Sequence, residues 1–268
     1  MQVHSLGYRT DLIFPAFDGQ ILDRGDYLVI LTLTNPTFYW GNFLLFQNPP
    51  GEGDLEKWKT LFAREIGSKI RAGHFAFGWD TVDGETGAVQ PFLEAGFNLS
   101  QNVVLAAQQV NIPPKYNREA EVRPLASDED WEQATQNQIA CRDPEHTLEG
   151  YRVFKTDQMR RYRQMSQAGL GHWFGAFLGS RLVAELGVFT SGKLGRFQQV
   201  GTHPDYRRQG ICGALVYQAS RYALEKMNAE TLVMVADENY HAAKIYESIG
   251  FQPRERQVGL DWWPKSQD

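Results

Sequence analysis

The stretch Phe197-Gln198-Gln199-Val200-Gly201-Thr202-His203-Pro204-Asp205-Tyr206-Arg207-Arg208-Gln209-Gly210-Ile211-Cys212-Gly213 constrains this chain more than any other. An apolar, β-prone segment ends at Thr202, His203-Pro204-Asp205 breaks it, a basic pair follows, and Gly210 and Gly213 open a long apolar-periodic run. That order predicts strand, turn, glycine loop, helix. The first N–H groups of a helix lack intrahelical partners and the helix dipole favours negative charge there, so such a loop is an anion cradle. Glycines keep side chains off the backbone, and Arg207 and Arg208 supply counter-charge. The guest this predicts is a pyrophosphate.

A nucleotide P-loop requires G-x-x-x-x-G-K-[ST] and a dinucleotide fold requires G-x-G-x-x-G after a strand; neither spacing occurs. Gly169, Gly171 and Gly175 imitate the second, with one residue too many and before a strand instead of after it. Arg207-Arg208-Gln209-Gly210-Ile211-Cys212 does resemble the acyl-CoA signature Arg/Gln-x-x-Gly-x-Gly/Ala of the GNAT superfamily of N-acetyltransferases, with Cys212 at the last small position and Gly213 directly after it. Downstream, the run from Asn239 through Ala242 and Tyr246 to Gly250-Phe251 resembles the family's second signature, N-x-x-A-x-x-x-Y-x-x-x-G-F. The two stand in the family's order with a strand between them. The resemblance covers about Glu119 to the C-terminus.

It implies an α+β fold of the GNAT type, with a mixed central sheet flanked by helices. The elements predicted around the motifs agree: a strand at Glu121–Leu125, a helix capped by Ser127 with Asp130 three residues on, a helix over Thr156–Ala168, strands at His172–Leu178, Leu182–Thr190 and Arg196–Thr202, and a helix after the loop. Asn111-Ile112-Pro113-Pro114-Lys115-Tyr116-Asn117 predicts a stiff linker. The domains expected are 1–110, a linker at 111–118, and a catalytic domain at 119–268.

The first half carries strand-like Ile13-Phe14, Tyr27–Leu33 and Asn42–Phe46, a helix capped by Asp54 and running to about Ile66, a strand at His74–Trp79 and a short helix over Thr86–Glu94. Its order of elements, ending in Phe92-Leu93-Glu94-Ala95-Gly96-Phe97, parallels the second half, which ends in Tyr246-Glu247-Ser248-Ile249-Gly250-Phe251. This predicts a tandem arrangement with a smaller, degenerate GNAT-like first copy. That copy should not bind CoA: its counterpart loop, Asn48-Pro49-Pro50-Gly51-Glu52-Gly53-Asp54, has prolines that donate no N–H and acids that repel phosphate. Shaping the substrate cleft, stabilising the other half, or forming a homodimer are its open roles.

Function follows from the resemblance. It implies direct transfer of an acyl group, most simply acetyl, from acyl-CoA to an amine of a small molecule or peptide. The strand backbone at Val200 and Thr202 would hold the pantetheine arm and thioester carbonyl, an N–H there acting as an oxyanion hole. Arg207, Arg208, Gln209, Gly210, Ile211, Cys212 and Gly213 would hold the pyrophosphate. Tyr246 would be the general acid that protonates the departing thiolate, and Asn239 would cap its helix or touch the CoA arm. Arg196 stands where family members carry a basic Glu, and arginine stays protonated. Glu185 and His203 are the candidate substitutes. Cys212 could be a nucleophile at a helix N-terminus, though its place in the loop favours mere steric tolerance. The alternative to an enzyme is a non-catalytic acyl-CoA-binding module.

The remaining features exclude more than they add. A net charge of −5 offers no general attraction to nucleic acid or anionic membrane. Two cysteines make no disulfide framework, the six histidines show no metal-ligand spacing, and no apolar run approaches the ~20 residues that span a bilayer. A metal-free cytoplasmic protein is expected.

Overall fold

The computed structural model describes residues 1–36, 38–142, 147–237 and 243–264. In chain order the elements are α1 (Leu6–Asp11), α2 (Pro15–Asp18), β1 (Gln20–Asp23), β2 (Tyr27–Leu31), β3 (Phe43–Phe46), α3 (Asp54–Phe62), β4 (Phe75–Trp79), α4 (Gln90–Glu94), β5 (Asn98–Ala107), β6 (Glu121–Pro124), α5 (Asp128–Ala140), α6 (Leu148–Gln167), β7 (Gly171–Leu178), β8 (Arg181–Ser191), β9 (Leu194–Thr202), α7 (Ile211–Lys226), β10 (Thr231–Asp237), α8 (Ala243–Ile249) and β11 (Gln252–Trp262). None of the described helices is long and apolar enough to cross a membrane.

Contacts divide the chain into two units: Met1–Val104 with Val235–Glu238 and Arg254–Asp268, and Leu105–Met234 with Asn239–Pro253. The linear scheme drawn from the sequence put the whole of 119–268 in one domain. The differences are that residues 105–110 go with the second unit, while Val235–Glu238 and Arg254–Asp268, which include most of β11, go with the first.

In the first unit the strands run β1-β2-β3-β4-β11-β5. β3 and β4 are parallel, joined by a crossover through α3, while β11 is antiparallel to β4 with Leu260 opposite Phe77. Inward residues are almost all large: Phe46 stacks on Trp58 at 3.8 Å, and Phe62, Phe77, Trp79, Phe92 and Phe97 close around them. Ile13-Phe14 is not a strand. The pair turns between α1 and α2, because two buried apolar residues are too few to establish a period of two. Gly53, not Asp54, is the N-cap of α3, with φ of 78°, and the helix widens into a π turn at Ala63–Gly67 before it ends.

In the second unit the order is β10-β9-β8-β7-β6, antiparallel except for the parallel β9–β10 pair. Ser127 and Asp130 form the reciprocal capping box read from the sequence, and Asp130 also takes a two-pronged bond from Arg123 at 2.7 and 2.9 Å. That guanidinium holds the Asp130 carboxyl far below the usual range. α6 begins at Leu148, eight residues before the predicted start. One face of α7, with Leu215, Val216 and Ala219 fully buried, packs on β8.

Two details of β9 position the site. It pairs with β10 only from Leu194 to Arg196, so among the described residues its edge from Phe197 to Thr202 has no paired strand on that side. Opposite β8, Glu185 pairs with Gly201 and Gly187 with Gln198, which sets Gln199 and Val200 together against Leu186. This is a β-bulge, and Gln199 sits in it at φ 52°.

Candidate active site

A short 3-10 turn, Pro204–Tyr206, ends β9 and hands the chain to Arg207-Arg208-Gln209-Gly210. Arg208 and Gly210 are both left-handed, at φ 61° and 77°, and Gly210 is the N-cap of α7. Among the described residues no hydrogen bond uses the backbone N–H of any residue from Arg208 to Gly213. Six successive donors beside two exposed arginines, with no acid in the first turn of α7, make the electrostatic setting of an anion site.

These donors border a cleft of about 580 Å³. Val200 and Thr202 line it from β9; Arg207, Arg208, Gly210, Ile211, Cys212 and Gly213 from the loop and α7; and Tyr246 from α8. The structure thus brings together Tyr246 and eight of the predicted cofactor residues. Gln209 is not among the lining residues; its side chain turns back to the Asp205 carbonyl at 3.4 Å. Asn239 lies outside the described residues. The Thr202 carbonyl already accepts from Arg207 Nε at 3.2 Å and from the Cys141 thiol at 3.3 Å. Burial pushes the Cys212 thiol up to about 11, so it is no thiolate at neutral pH, as steric tolerance requires.

Neither candidate base lines the cleft. His203 caps the 3-10 turn, accepting the Asp205 N–H at 3.4 Å, and packs against Tyr206. Glu185 is fully buried, its carboxylate held by Trp173 Nε1, Gln138 Nε2 and Asn137 Nδ2. It nevertheless lies just behind the cleft wall: a Cβ added to Gly201, which lines the cleft, would stand 2.9 Å from Glu185 Oε1. Burial raises this carboxyl to about 8, against the pull of its three donors and of buried Lys155. Lys155 bonds Gln158 and the bulged Gln199 at 2.8 Å each, and desolvation lowers its ammonium to about 8. Arg196 is buried, its Nε on the Phe197 carbonyl at 3.2 Å.

Sequence reasoning missed one whole wall. Pro113, Pro114 and Lys115 of the linker line the cleft, with Cys141, Tyr206 and Lys244. Lys115 was readable as a cation, but its sequence separation of 93 from the loop hid where it lands.

Residues 131–251 match the family model "Acetyltransferase (GNAT) family". No functionally curated protein matches the chain in sequence. Among solved structures, the chain resembles a functionally unknown conserved protein from Staphylococcus epidermidis ATCC 12228, with TM-score 0.68 and 15% identity over 91% of this chain and 94% of that one. A GCN5-related N-acetyltransferase from Kribbella flavida gives 0.66 and 15% over 98% and 97%. A tandem GNAT protein from the clavulanic acid biosynthesis pathway gives 0.52 and 13% over 81% and 72%. The fold is therefore that of the GNAT proteins, and the segment that matches the acetyltransferase (GNAT) family model, 131–251, has the glycine loop and the Tyr246 helix inside it.

Proposed function

We propose that the protein transfers an acetyl group from acetyl-CoA to a primary amine of a small molecule or peptide, within a ternary complex at the second unit's cleft. One observation carries the reading: loop N–H groups and an edge of β9 that have no partner among the described residues, two arginines and the Tyr246 phenol all border the same space of about 580 Å³. CoA fits this set, because its pyrophosphate matches the donors and its pantetheine amides match a bare strand edge. When bound it supplies the thioester that carries the acyl group.

The chain's own residues do the rest. Arg207, Arg208 and the N–H groups from Gly210 to Gly213 anchor the phosphates. The backbone at Val200 holds the arm and aims a donor at the thioester carbonyl, where negative charge develops. Tyr246 delivers a proton to the departing sulfur. Glu185, behind Gly201, takes the amine's proton through water, and a carboxyl near 8 is half ionised where such a base works. The first unit is a degenerate second copy without a CoA site, a reading its parallel β3–β4 pair and its glycine-capped α3 support.

Calorimetric titration with acetyl-CoA, free CoA and ATP, followed by product detection over a panel of primary amines, tests this. One site per chain for both CoA forms, silence with ATP and an acylated amine are expected. Absence of CoA binding would overturn it. Binding without turnover on any amine would favour a non-catalytic acyl-CoA-binding module, the reading that the sealed position of Glu185 supports.

A further inference from the structure

The linker does more than join elements. After Ile112 it runs over the glycine loop, and three hydrogen bonds between the linker and backbone carbonyls of the loop have the same polarity. Lys115 Nζ donates to the Arg208 carbonyl, Asn117 Nδ2 to the Gln209 carbonyl at 3.1 Å, and the Asn117 N–H to the Gly210 carbonyl at 3.3 Å. Three consecutive carbonyls are thus drawn to the linker. In a planar trans peptide the N–H points opposite to the C=O. The N–H groups of Gln209, Gly210 and Ile211 are therefore turned away from the linker and left for another acceptor.

Asn117 cannot swing out of this role without loss. Its Oδ1 accepts the N–H groups of Glu119 and Ala120 at 3.0 and 2.9 Å, which fixes the amide with Nδ2 toward Gln209. The glycines of the motif are shaped to the same contact. A Cβ on Gly210 would stand 3.0 Å from the Lys115 carbonyl oxygen, and one on Gly213 would stand 3.1 Å from Pro113 Cγ. Arg208, held left-handed without being glycine, is the strained residue that the Lys115 ammonium stabilises.

We infer that Lys115 and Asn117 are positioning residues for the phosphate cradle: by gathering the carbonyls of Arg208, Gln209 and Gly210 they preset the loop's N–H groups for an anion before it arrives. The inference rests on the proposed CoA site. Presetting lowers the ordering cost of binding, so its loss appears in CoA affinity and not in the chemical step.

The test uses the full chain and two readouts, calorimetric affinity for free CoA and NMR order parameters of the backbone N–H vectors of residues 208–213 in the ligand-free protein. Lys115→Met and Asn117→Ala should each weaken CoA about 10-fold, the equivalent of one hydrogen bond of ~1.4 kcal/mol. Lys115→Arg should restore affinity to within about 3-fold, and Arg118→Ala, next to Asn117 on the exposed chain, should change nothing. Order parameters over 208–213 should fall in the two weakened variants, with the thermal midpoint of Lys115→Met unchanged. Unaltered CoA affinity in both variants, or unaltered loop order parameters, overturns the inference. Wild-type protein that fails to bind CoA sinks the proposed function instead, and the order parameters then decide the loop's presetting alone. Lys115→Met is the safer variant, because Asn117→Ala also removes the turn that leads into β6.

Discussion

Helices α3 and α7 start alike and end with opposite capacities. Each follows a strand of a parallel pair, and each has a left-handed glycine as N-cap, Gly53 at φ 78° and Gly210 at 77°. The following short helices match as well. Phe97 N–H bonds the Phe92 carbonyl at 3.0 Å, as Phe251 does Tyr246 at 3.2 Å, and Gly96 bonds Leu93 as Gly250 bonds Glu247, each at 3.0 Å. Yet in the first unit the Asp54 carboxylate accepts the Gly51 N–H at 2.8 Å, so the loop's donor is spent on a built-in anion. In the second unit no acid occupies the first turn and the donors stay free of described partners. One backbone device thus serves a structural cap in one place and, in the proposed function, a ligand site in the other, and the side chain just inside the helix distinguishes them.

The largest effect that would test this contrast is a charge placed in each loop. Gly210→Glu should lower CoA affinity more than ~100-fold by putting a carboxylate among the phosphate donors and forcing the linker back. Gly53→Glu, with nothing within 4 Å of its Cβ, should leave CoA affinity unchanged and cost only the ~1–2 kcal/mol of a non-glycine left-handed residue, read by denaturant melting. Equal affinity losses would end the distinction between the loops.

Next comes the pair Tyr246 and Phe92. Tyr246→Phe should reduce kcat ~100-fold with CoA affinity intact. An unchanged kcat would mean that water protonates the thiolate. Phe92→Tyr should add no second active site, and should destabilise the first unit by ~1–3 kcal/mol, because position 92 is buried at 1% exposure and offers a hydroxyl no evident partner.

Glu185 gives a pH signature. Its folded value, about 8, lies above the ordinary 4.5, so the native state holds a proton that the unfolded chain has already released. The stability this contributes is complete below about 4.5 and is lost as pH rises toward 8. In Glu185→Gln the contribution is absent, so the variant's melting deficit against wild type should shrink between pH 5 and pH 9. If Glu185 is also the base, wild-type kcat/KM should climb through about pH 8 and the variant should lose that limb and most of its rate. Full turnover in the variant would leave Glu185 a purely structural anchor for Trp173, Gln138 and Asn137.

The smallest effect concerns Asp54→Ala, expected to cost about 1 kcal/mol through loss of the bond to Gly51 and of charge at the helix start. CoA stoichiometry should stay at one per chain. A second site in that variant would show that Asp54 alone had closed the first cradle.

How much of this was readable in advance depends on the range of the interactions. The Ser127–Asp130 box, the order of strands in the second unit and the glycine cap of α7 are local, and each carries its own residues. The start of α6 at Leu148 was missed because Gly150 and Tyr151 weaken the helical pattern of its first turn. The bulge at Gln199 and the left-handed Arg208 leave no mark in composition; neither is glycine, and only the partners across β8 and in the linker impose them. Lys115 and Asn117 were invisible for the same reason, lying more than 90 residues from the carbonyls they hold. The loop residues that line the candidate cleft were legible and the scaffolding behind them was not.

The placement of β11 bears on how the chain comes to be folded at all. β4 must wait for Gly259–Trp262 to fill its side, and Tyr8 near the start bonds its hydroxyl to the Val258 carbonyl at 2.7 Å, 250 residues away. The Leu6 N–H likewise waits for Glu255 at 2.7 Å. During synthesis the N-terminal half therefore leaves the ribosome with an apolar sheet edge open until β11 emerges, a high-contact-order arrangement that slows folding. The first unit is older in the chain but last to close, and cutting the gene at the linker would release a half that cannot finish itself.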